Sequence, residues 1–250
     1  MDLGLEGKRA LVLGASRGLG AAIAQELTSE GAKVLGVSRS GEGPGAWPSF
    51  AHDLAADSAA EAIAAHAQEV LGGVDILINN SGGPPPSTAE ATDESAILAS
   101  LQPMLLTLTR LTRLVLPGMR ENGFGRILTI TSAGVREPIP GLALSNTIRA
   151  GLHGFMKTLA REVAPDGITV NLLMPGQIDT DRLRSLHAAT AERMSIPPEA
   201  FRAKAVEAVP IGRIGEPAEF AAVAAFLVSA RASYVTGQEI AVDGGMLKGG

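Results

Sequence analysis

The chain has 250 residues, a formal net charge of -5, and 46% hydrophobic but only 3% aromatic residues, which suits one large α/β domain or two small ones with an aliphatic core and speaks against a nucleic-acid partner. It has no Cys and four scattered His, which excludes a disulfide framework, a thiol nucleophile and a zinc–thiolate site and offers no metal-ligand spacing. No run of 18 apolar residues and no secretory pattern occurs, so no membrane partner is expected and the cytoplasm is the expected location.

Ala10 to Leu13 is a short apolar run that fits a buried strand. Gly14, Gly18 and Gly20 follow. Then AAIAQELTSEG sets Ala22, Ile23 and Leu27 on one helical face, with Gly31 at its end. Strand, glycine turn and helix bring backbone N–H groups and a helix N-terminus up to a phosphate, and glycine allows the approach because it lacks a Cβ. Gly14, Ser16, Arg17, Gly18, Leu19 and Gly20 are therefore expected to contact a dinucleotide; an ordinary tight turn is the alternative. Lys33 to Val37 reads as the second strand, closed by Ser38, Arg39 and Ser40. An acid at this strand end suits the ribose of NAD, whereas arginine suits the 2′-phosphate of NADP. Arg39 stands there with no acid, and Arg17 in the glycine turn can face the same phosphate. NADP(H) is therefore preferred over NAD(H), two solvated surface arginines being the alternative.

Phe50 to Leu54 reads as a third strand, and Asp57 to Leu71 as a helix with Ile63, Ala67, Val70 and Leu71 on its apolar side. Asp75 to Asn79 is a continuous apolar strand of the kind buried in parallel sheets. The proline-rich loop to Pro86 is stiff and lies where a substrate pocket needs a wall. Ser95 to Met119 is a long helical stretch that Pro103 bends or opens. Gly125 to Thr131 is a fifth strand ending in Ser132, Arg149 to Val163 a helix, Ile168 to Met174 a sixth strand and Glu239 to Val242 a seventh. Strands that alternate with helices imply parallel βαβ units.

The glycines fall as G-x-x-x-G-x-G. Together with Asn79-Asn80-Ser81-Gly82, Pro175-Gly176-Gln177-Ile178-Asp179-Thr180, IGRIGEPAE and YVTGQEIAVDGG, the pattern resembles the short-chain dehydrogenase/reductase family from about residue 7 to 246, with Leu13 where the family has Thr. The resemblance implies one α/β domain over residues 1–250, a Rossmann-type three-layer fold with a seven-stranded parallel sheet, in a homotetramer paired through the 149–163 helix. It implies Asp53 and Leu54 at the adenine, and Asn80, Ser81 and Gly82 beside the adenine ribose. It places Pro175, Gly176 and Ile178 at the nicotinamide carboxamide, and Thr180 at the amide or pyrophosphate. Residues 182–206 stand where relatives carry a flexible substrate lid. Arg182, Arg184, Arg193, Arg202 and Lys204 there face only two Glu. They suit either an anionic substrate, such as an acyl-thioester on a phosphate-bearing carrier, or a solvated pair of amphipathic helices.

The resemblance also implies a Ser, a Tyr thirteen positions on, a Lys four further, and an Asn in the preceding long helix. Ser132 is present, Ser145 and Arg149 stand at the Tyr and Lys places, and the Asn place falls near Gln102 or Pro103. A Ser hydroxyl ionises far less readily than a phenol of pKa about 10 and is too short to reach the phenol's place, so Ser145 is a poor acid or base. Arg149 can hold ribose hydroxyls but stays protonated and cannot shuttle a proton. His153 and His187 are candidate substitutes, or simply surface or interface residues. The expected function is NADP-dependent, 3-oxoacyl-reductase-like hydride transfer between a carbonyl and an alcohol, on a small-molecule or acyl-thioester substrate. Ser132, Ser145 and Arg149 are its catalytic positions. The rival is a non-catalytic NADP-binding scaffold.

Overall fold

Central strands of this chain are unbroken aliphatic runs because helices cover both of their faces. The computed structural model describes residues 2–248; Met1, Gly249 and Gly250 of the expected 1–250 span lie outside the described residues. The strands are β1 (Arg9–Leu13), β2 (Lys33–Ser38), β3 (Ser49–Ala51), β4 (Ile76–Asn79), β5 (Gly125–Ile130), β6 (Ile168–Pro175) and β7 (Glu239–Val242). They pair in parallel in the order β3-β2-β1-β4-β5-β6-β7, the expected seven-stranded sheet.

The helices are α1 (Gly18–Ser29), α2 (Ala59–Leu71), α3 (Glu94–Leu101), α4 (Thr107–Glu121), α5 (Ala143–Val163), α6 (Asp181–Arg193), α7 (Pro198–Glu207) and α8 (Pro217–Leu227). One apolar core joins the sheet to α2, α4 and α5 through Ile63, Leu111, Met119, Leu152 and Met156. The other joins it to α1 and α8 through Ile23, Leu27, Phe220 and Ala224. Helix layer, sheet and helix layer complete the Rossmann-type architecture. Among the described residues no helix is long and apolar enough to cross a membrane.

Several elements depart from the sequence reading. β3 stops at Ala51, because the Asp53 carboxylate accepts the Ala55 N–H at 3.0 Å and turns the chain. Val70 is 40% exposed, since in the last turn of α2 only Leu71 reaches the core. Pro103 sits in a π-helical turn, Gln102–Leu106, between α3 and α4. α5 begins at Ala143, six residues before the expected start, so Ser145 and Arg149 share one helix a turn apart.

Arg9 and Asp75 tie β1 to the chain entering β4. Three Arg9 donors reach the Asp75 carboxylate, the backbone N at 3.0 Å, Nε at 2.9 Å and Nη2 at 2.6 Å. Burial pushes this carboxyl up, but the Arg9 bonds outweigh it and hold it below the usual carboxylate range. A depressed folded pKa contributes stability above the unfolded value of about 3.9, and that stability is lost as pH falls through the folded value. Asp75→Asn is expected to cost about 1.5–3 kcal/mol in urea unfolding at pH 7. The variant's stability should also fall less steeply than wild type below about pH 4.

Candidate active site

All seven strands run the same way, so their C-terminal ends open on one edge, and the strand order reverses between β1 and β4. A ligand crevice belongs at that point. Gly14 (φ +66) and Gly18 (φ +58) hold left-handed backbone there. A Cβ on Gly20 would stand 2.2 Å from the Gly14 carbonyl oxygen, and one on Gly14 would stand 2.6 Å from Asn80 Nδ2. Asn80 donates from Nδ2 to the Leu13 carbonyl at 3.1 Å, bracing the turn where Leu13 has no hydroxyl to offer. Arg17 precedes α1 without a side-chain cap, and the first turn holds no acid. The first N–H groups of α1 are thus left for an anion.

Arg17 and Arg39, distant in sequence, line one hollow of about 340 Å³ with Ser16, Ser40 and Glu42. Glu42 is the member that the sequence reading missed. Ser38 shapes the turn beneath, its hydroxyl accepting the Gly41 N–H at 3.1 Å. Trp47, the chain's one Trp, is buried between Gly36 and Ala15, and no Cβ fits on Gly45 against its ring. Asp53 is exposed; Leu54 packs its side chain on the core and accepts Thr107 Oγ1 on its carbonyl at 2.8 Å.

At the end of β6, Gly176 N donates to the Val242 carbonyl at 3.0 Å, and a Cβ there would collide with Asp243. Gln177 O and Asp179 N are both bonded to Gly215 at 2.9 Å, which fixes Ile178 between them. Thr180 caps α6, accepting the Leu183 N–H at 3.2 Å. Its methyl lies 3.6 Å from the Cβ position of Gly18, so the N-termini of α1 and α6 meet at one place.

The three expected catalytic positions converge beside the end of β5. Ser132 Oγ accepts the Gly134 N–H at 3.1 Å. Arg149 is 9% exposed and donates from Nη1 to the Ile130 carbonyl at 2.7 Å and from Nη2 to the Ser81 carbonyl at 3.5 Å. Ser145 is buried one turn earlier, and its hydroxyl has no hydrogen-bond partner among the described residues. Burial, and then the charge of Arg182, bring the Arg149 guanidinium down to about 10, so it stays protonated at neutral pH. Arg182 itself donates to the Pro84 carbonyl at 2.8 Å.

A family model described as Enoyl-(Acyl carrier protein) reductase matches residues 14–247. The chain is 36% identical over 252 residues to the 3-oxoacyl-[acyl-carrier-protein] reductase FabG of Vibrio cholerae serotype O1, a match covering 98% of this chain and 99% of that protein. The chain belongs to the short-chain dehydrogenase/reductase family. Among solved members, L-sorbose reductase from Gluconobacter frateurii, in complex with NADPH and L-sorbose, superimposes with a TM-score of 0.91 at 31% identity, covering 100% of both chains. YwfH, an NADPH-dependent reductase involved in bacilysin biosynthesis, does so with a TM-score of 0.86 at 29% identity, covering 98% of this chain and 100% of its own.

Within this short-chain dehydrogenase/reductase, some expected residues stand elsewhere. The Gln102 amide turns back to the Ala56 carbonyl and Thr107 Oγ1, both at 3.5 Å, and the residue of the π-helical turn that faces the interior is Met104. A thioether thus lies there, without a donor. His153 Nε2 is 3.5 Å from Glu239 on β7, which also binds Arg136. His187 is 7% exposed rather than a surface group, with Nε2 2.8 Å from Gln177 Oε1. Burial, with help from Arg202 and against Asp179, lowers its pKa and favours the neutral ring. Neither His forms a hydrogen bond with Ser145 or Arg149 among the described residues.

The 182–206 stretch folds as α6 and α7, a helix pair packed on itself. Most of its excess charge is matched locally. Arg184 pairs with Asp179 and Asp181 at 2.7 Å each, and Arg202 with Asp179 at 3.5 Å. Both acids lie just before Arg182, outside the 182–206 stretch. Asn146 is the site residue that reading passed over. A Cβ on Gly134 would stand 2.2 Å from Asn146 Oδ1 and 3.4 Å from Ser132 Oγ, and Oδ1 is buried without a partner. Its signal was hidden, because an α5 starting at Arg149 leaves Asn146 outside the helix.

Proposed function

We propose that this protein is an NADP-dependent oxidoreductase that moves hydride between a carbonyl and an alcohol from an atypical active site. The observation that carries the reading is the shared edge: the open N-terminus of α1, the Arg17–Arg39 hollow, Ser132 and Arg149 all border the C-terminal ends of the strands. These residues fit the cofactor. The uncapped α1 N-terminus, held by a turn that packs Gly14 and Gly20 tightly against each other and Asn80, suits the pyrophosphate, and two arginines suit the 2′-phosphate. Asn80, Ser81 and Gly82 border the adenine ribose, Asp53 and Leu54 the adenine, and Pro175, Gly176, Ile178 and Thr180 the nicotinamide side.

NADPH, when bound, supplies a hydride for a carbonyl carbon. Ser132 donates a hydrogen bond to the carbonyl oxygen. Arg149 holds the nicotinamide ribose and opposes the negative charge that grows on that oxygen. Ser145 is no proton source near pH 7, so water protonates the alkoxide. The α6–α7 pair serves as the lid of a single domain over 1–250. A homotetramer paired through α5 is supported by the exposed Leu106 and Leu114 on the neighbouring helical stretch. The rival reading, a non-catalytic NADP-binding scaffold, draws on Ser145 and Met104 standing where donors are expected.

Trp47 lies behind the hollow, packed against Gly36 and Gly43, the latter next in sequence to the lining residue Glu42, and serves as the reporter. NADPH should change its fluorescence saturably, with weaker binding of NADH. Arg39→Asp should cut the NADPH preference about tenfold or more, the scale of one charge-assisted hydrogen bond. Unchanged relative affinities in that variant would remove Arg39 from the site. Binding without NADPH consumption on any carbonyl panel would favour the scaffold.

A further inference from the structure

We infer that the pocket selects a carbonyl substrate bearing a carboxylate near the reacting carbon, held between Arg149 and Arg182. The inference rests on the hydride-transfer reading above and adds the chemical class of the substrate.

Uncompensated charge carries the inference. Arg9, Arg17, Arg120, Arg136, Arg184, Arg202 and Arg213 each meet a carboxylate. Among the described residues neither Arg149 nor the exposed Arg182 does; the exposed Arg39, Arg110, Arg113, Arg161, Arg193 and Arg231 also lack one, so it is burial that sets Arg149 apart. Arg149 is the more telling of the two because it is buried. A buried cation is costly unless it is paired. Arg126 is the other buried arginine, and it shows what a purely structural solution looks like. Its guanidinium binds the carbonyls of Ser229, Gly125 and Gly167 and lies 4.2 Å over the Phe124 ring, at the start of β5. Arg149 lies at the opposite end of that strand and spends two of its five N–H donors, one of them on a long 3.5 Å contact.

Arg182 brings the second charge to the same place. Arg149 grips the Ser81 carbonyl and Arg182 the Pro84 carbonyl, so both guanidinium groups hold one four-residue stretch after β4. Arg182 also lies against Gly83, where a Cβ would come within 3.0 Å of its Nη2. Two like charges repel across this stretch, and an anion between them removes the repulsion.

The cofactor does not supply that anion in the proposed arrangement. Its phosphates belong to the α1 N-terminus and the Arg17–Arg39 hollow, while nicotinamide and its ribose carry no negative charge. The substrate is what remains. A carboxylate offers two oxygens to a planar guanidinium fork and matches it better than a point anion. Held there, it sets the neighbouring carbonyl beside Ser132. A neutral sugar or thioester would leave the buried Arg149 charge unmatched.

The test compares acids with their amides at constant shape. Calorimetric titration of the protein, with and without saturating NADPH, would use 2-oxobutanoate and 3-oxobutanoate against 2-oxobutanamide and 3-oxobutanamide. At least one acid should bind about tenfold or more tighter than its amide, the scale of one charge-assisted contact. Arg182→Gln should erase that preference while leaving NADPH affinity, read from Trp47, within about twofold. Arg182→Lys should restore part of it, since the charge returns without the fork. Equal binding of acid and amide in wild type would overturn the inference. So would an Arg182→Gln protein that loses NADPH affinity, because Arg182 would then serve the cofactor. Failure of wild type to bind NADPH at all would instead overturn the functional reading, and the titrations without cofactor would still score the anion site.

Discussion

Ser145→Tyr combined with Arg149→Lys is expected to raise NADPH-dependent reduction of a neutral test ketone by about 10²–10⁴-fold, the usual worth of a positioned general acid. Ser132, Ser145 and Arg149 include no group that titrates near pH 7. Ser145 is buried, and its hydroxyl meets no partner among the described residues. A phenol on the same helical turn would bring its proton towards Ser132, and a lysine one turn later would lower the phenol pKa by its charge. The two changes should not add. Ser145→Tyr alone gains a donor beside a charge already present in Arg149, so it should deliver part of the rise. Arg149→Lys alone supplies no donor, and it gives up a guanidinium that binds two carbonyls at once. It should therefore lower the rate, and it should weaken any preference for acids over amides. Loss of NADPH absorbance, measured for the four proteins on one ketone, checks the pattern. No gain in the double variant would count against carbonyl reduction as the native chemistry and in favour of the scaffold.

The sheet was legible because its central strands are continuous aliphatic runs separated by turn residues, and that pattern is local. So were the glycine turn and the pairing of Arg17 with Arg39, since strand ends of a parallel sheet must share an edge. What stayed hidden depends on contacts between distant residues. Asn80 binds the Leu13 carbonyl across 67 positions, a contact that no local pattern announces. Arg184 and Arg202 look like free charge until Asp179 folds against them, whereas Arg182, two residues before Arg184, reaches Pro84 instead. Counting charge over residues 182–206 could not separate these cases. The early start of α5 was masked by Pro138, Pro140 and Gly141, which read as loop and run almost to Ala143. Met104 replaced Gln102 as the inward residue because a π-helical turn shifts the facing of the side chains around Pro103.

Gly20→Ala is expected to weaken NADPH binding about tenfold or more, and to lower stability by about 1–3 kcal/mol. The cost is steric. Gly20 sits inside α1 without a positive φ, so alanine suits its backbone and would ordinarily help a helix. Gly118 in α4 makes the contrast: a Cβ there meets nothing within 4 Å. Gly118→Ala should therefore gain about 0.5–1 kcal/mol in urea unfolding and leave NADPH binding unchanged. At Gly20 the added carbon stands 2.2 Å from the Gly14 carbonyl oxygen and 2.7 Å from Asn80 Nδ2. The first of these is backbone and cannot swing away, so the turn must open or α1 must retreat. Either movement pulls the α1 N-terminus from the place where a pyrophosphate would meet it, and displaces Asn80 from Leu13. Binding should thus fall by more than the stability loss alone explains, and Trp47 fluorescence at a temperature where the variant is fully folded separates the two effects. Wild-type NADPH affinity in folded Gly20→Ala would mean that this turn is not the phosphate site, and the assignment of Arg17 and Arg39 would fall with it.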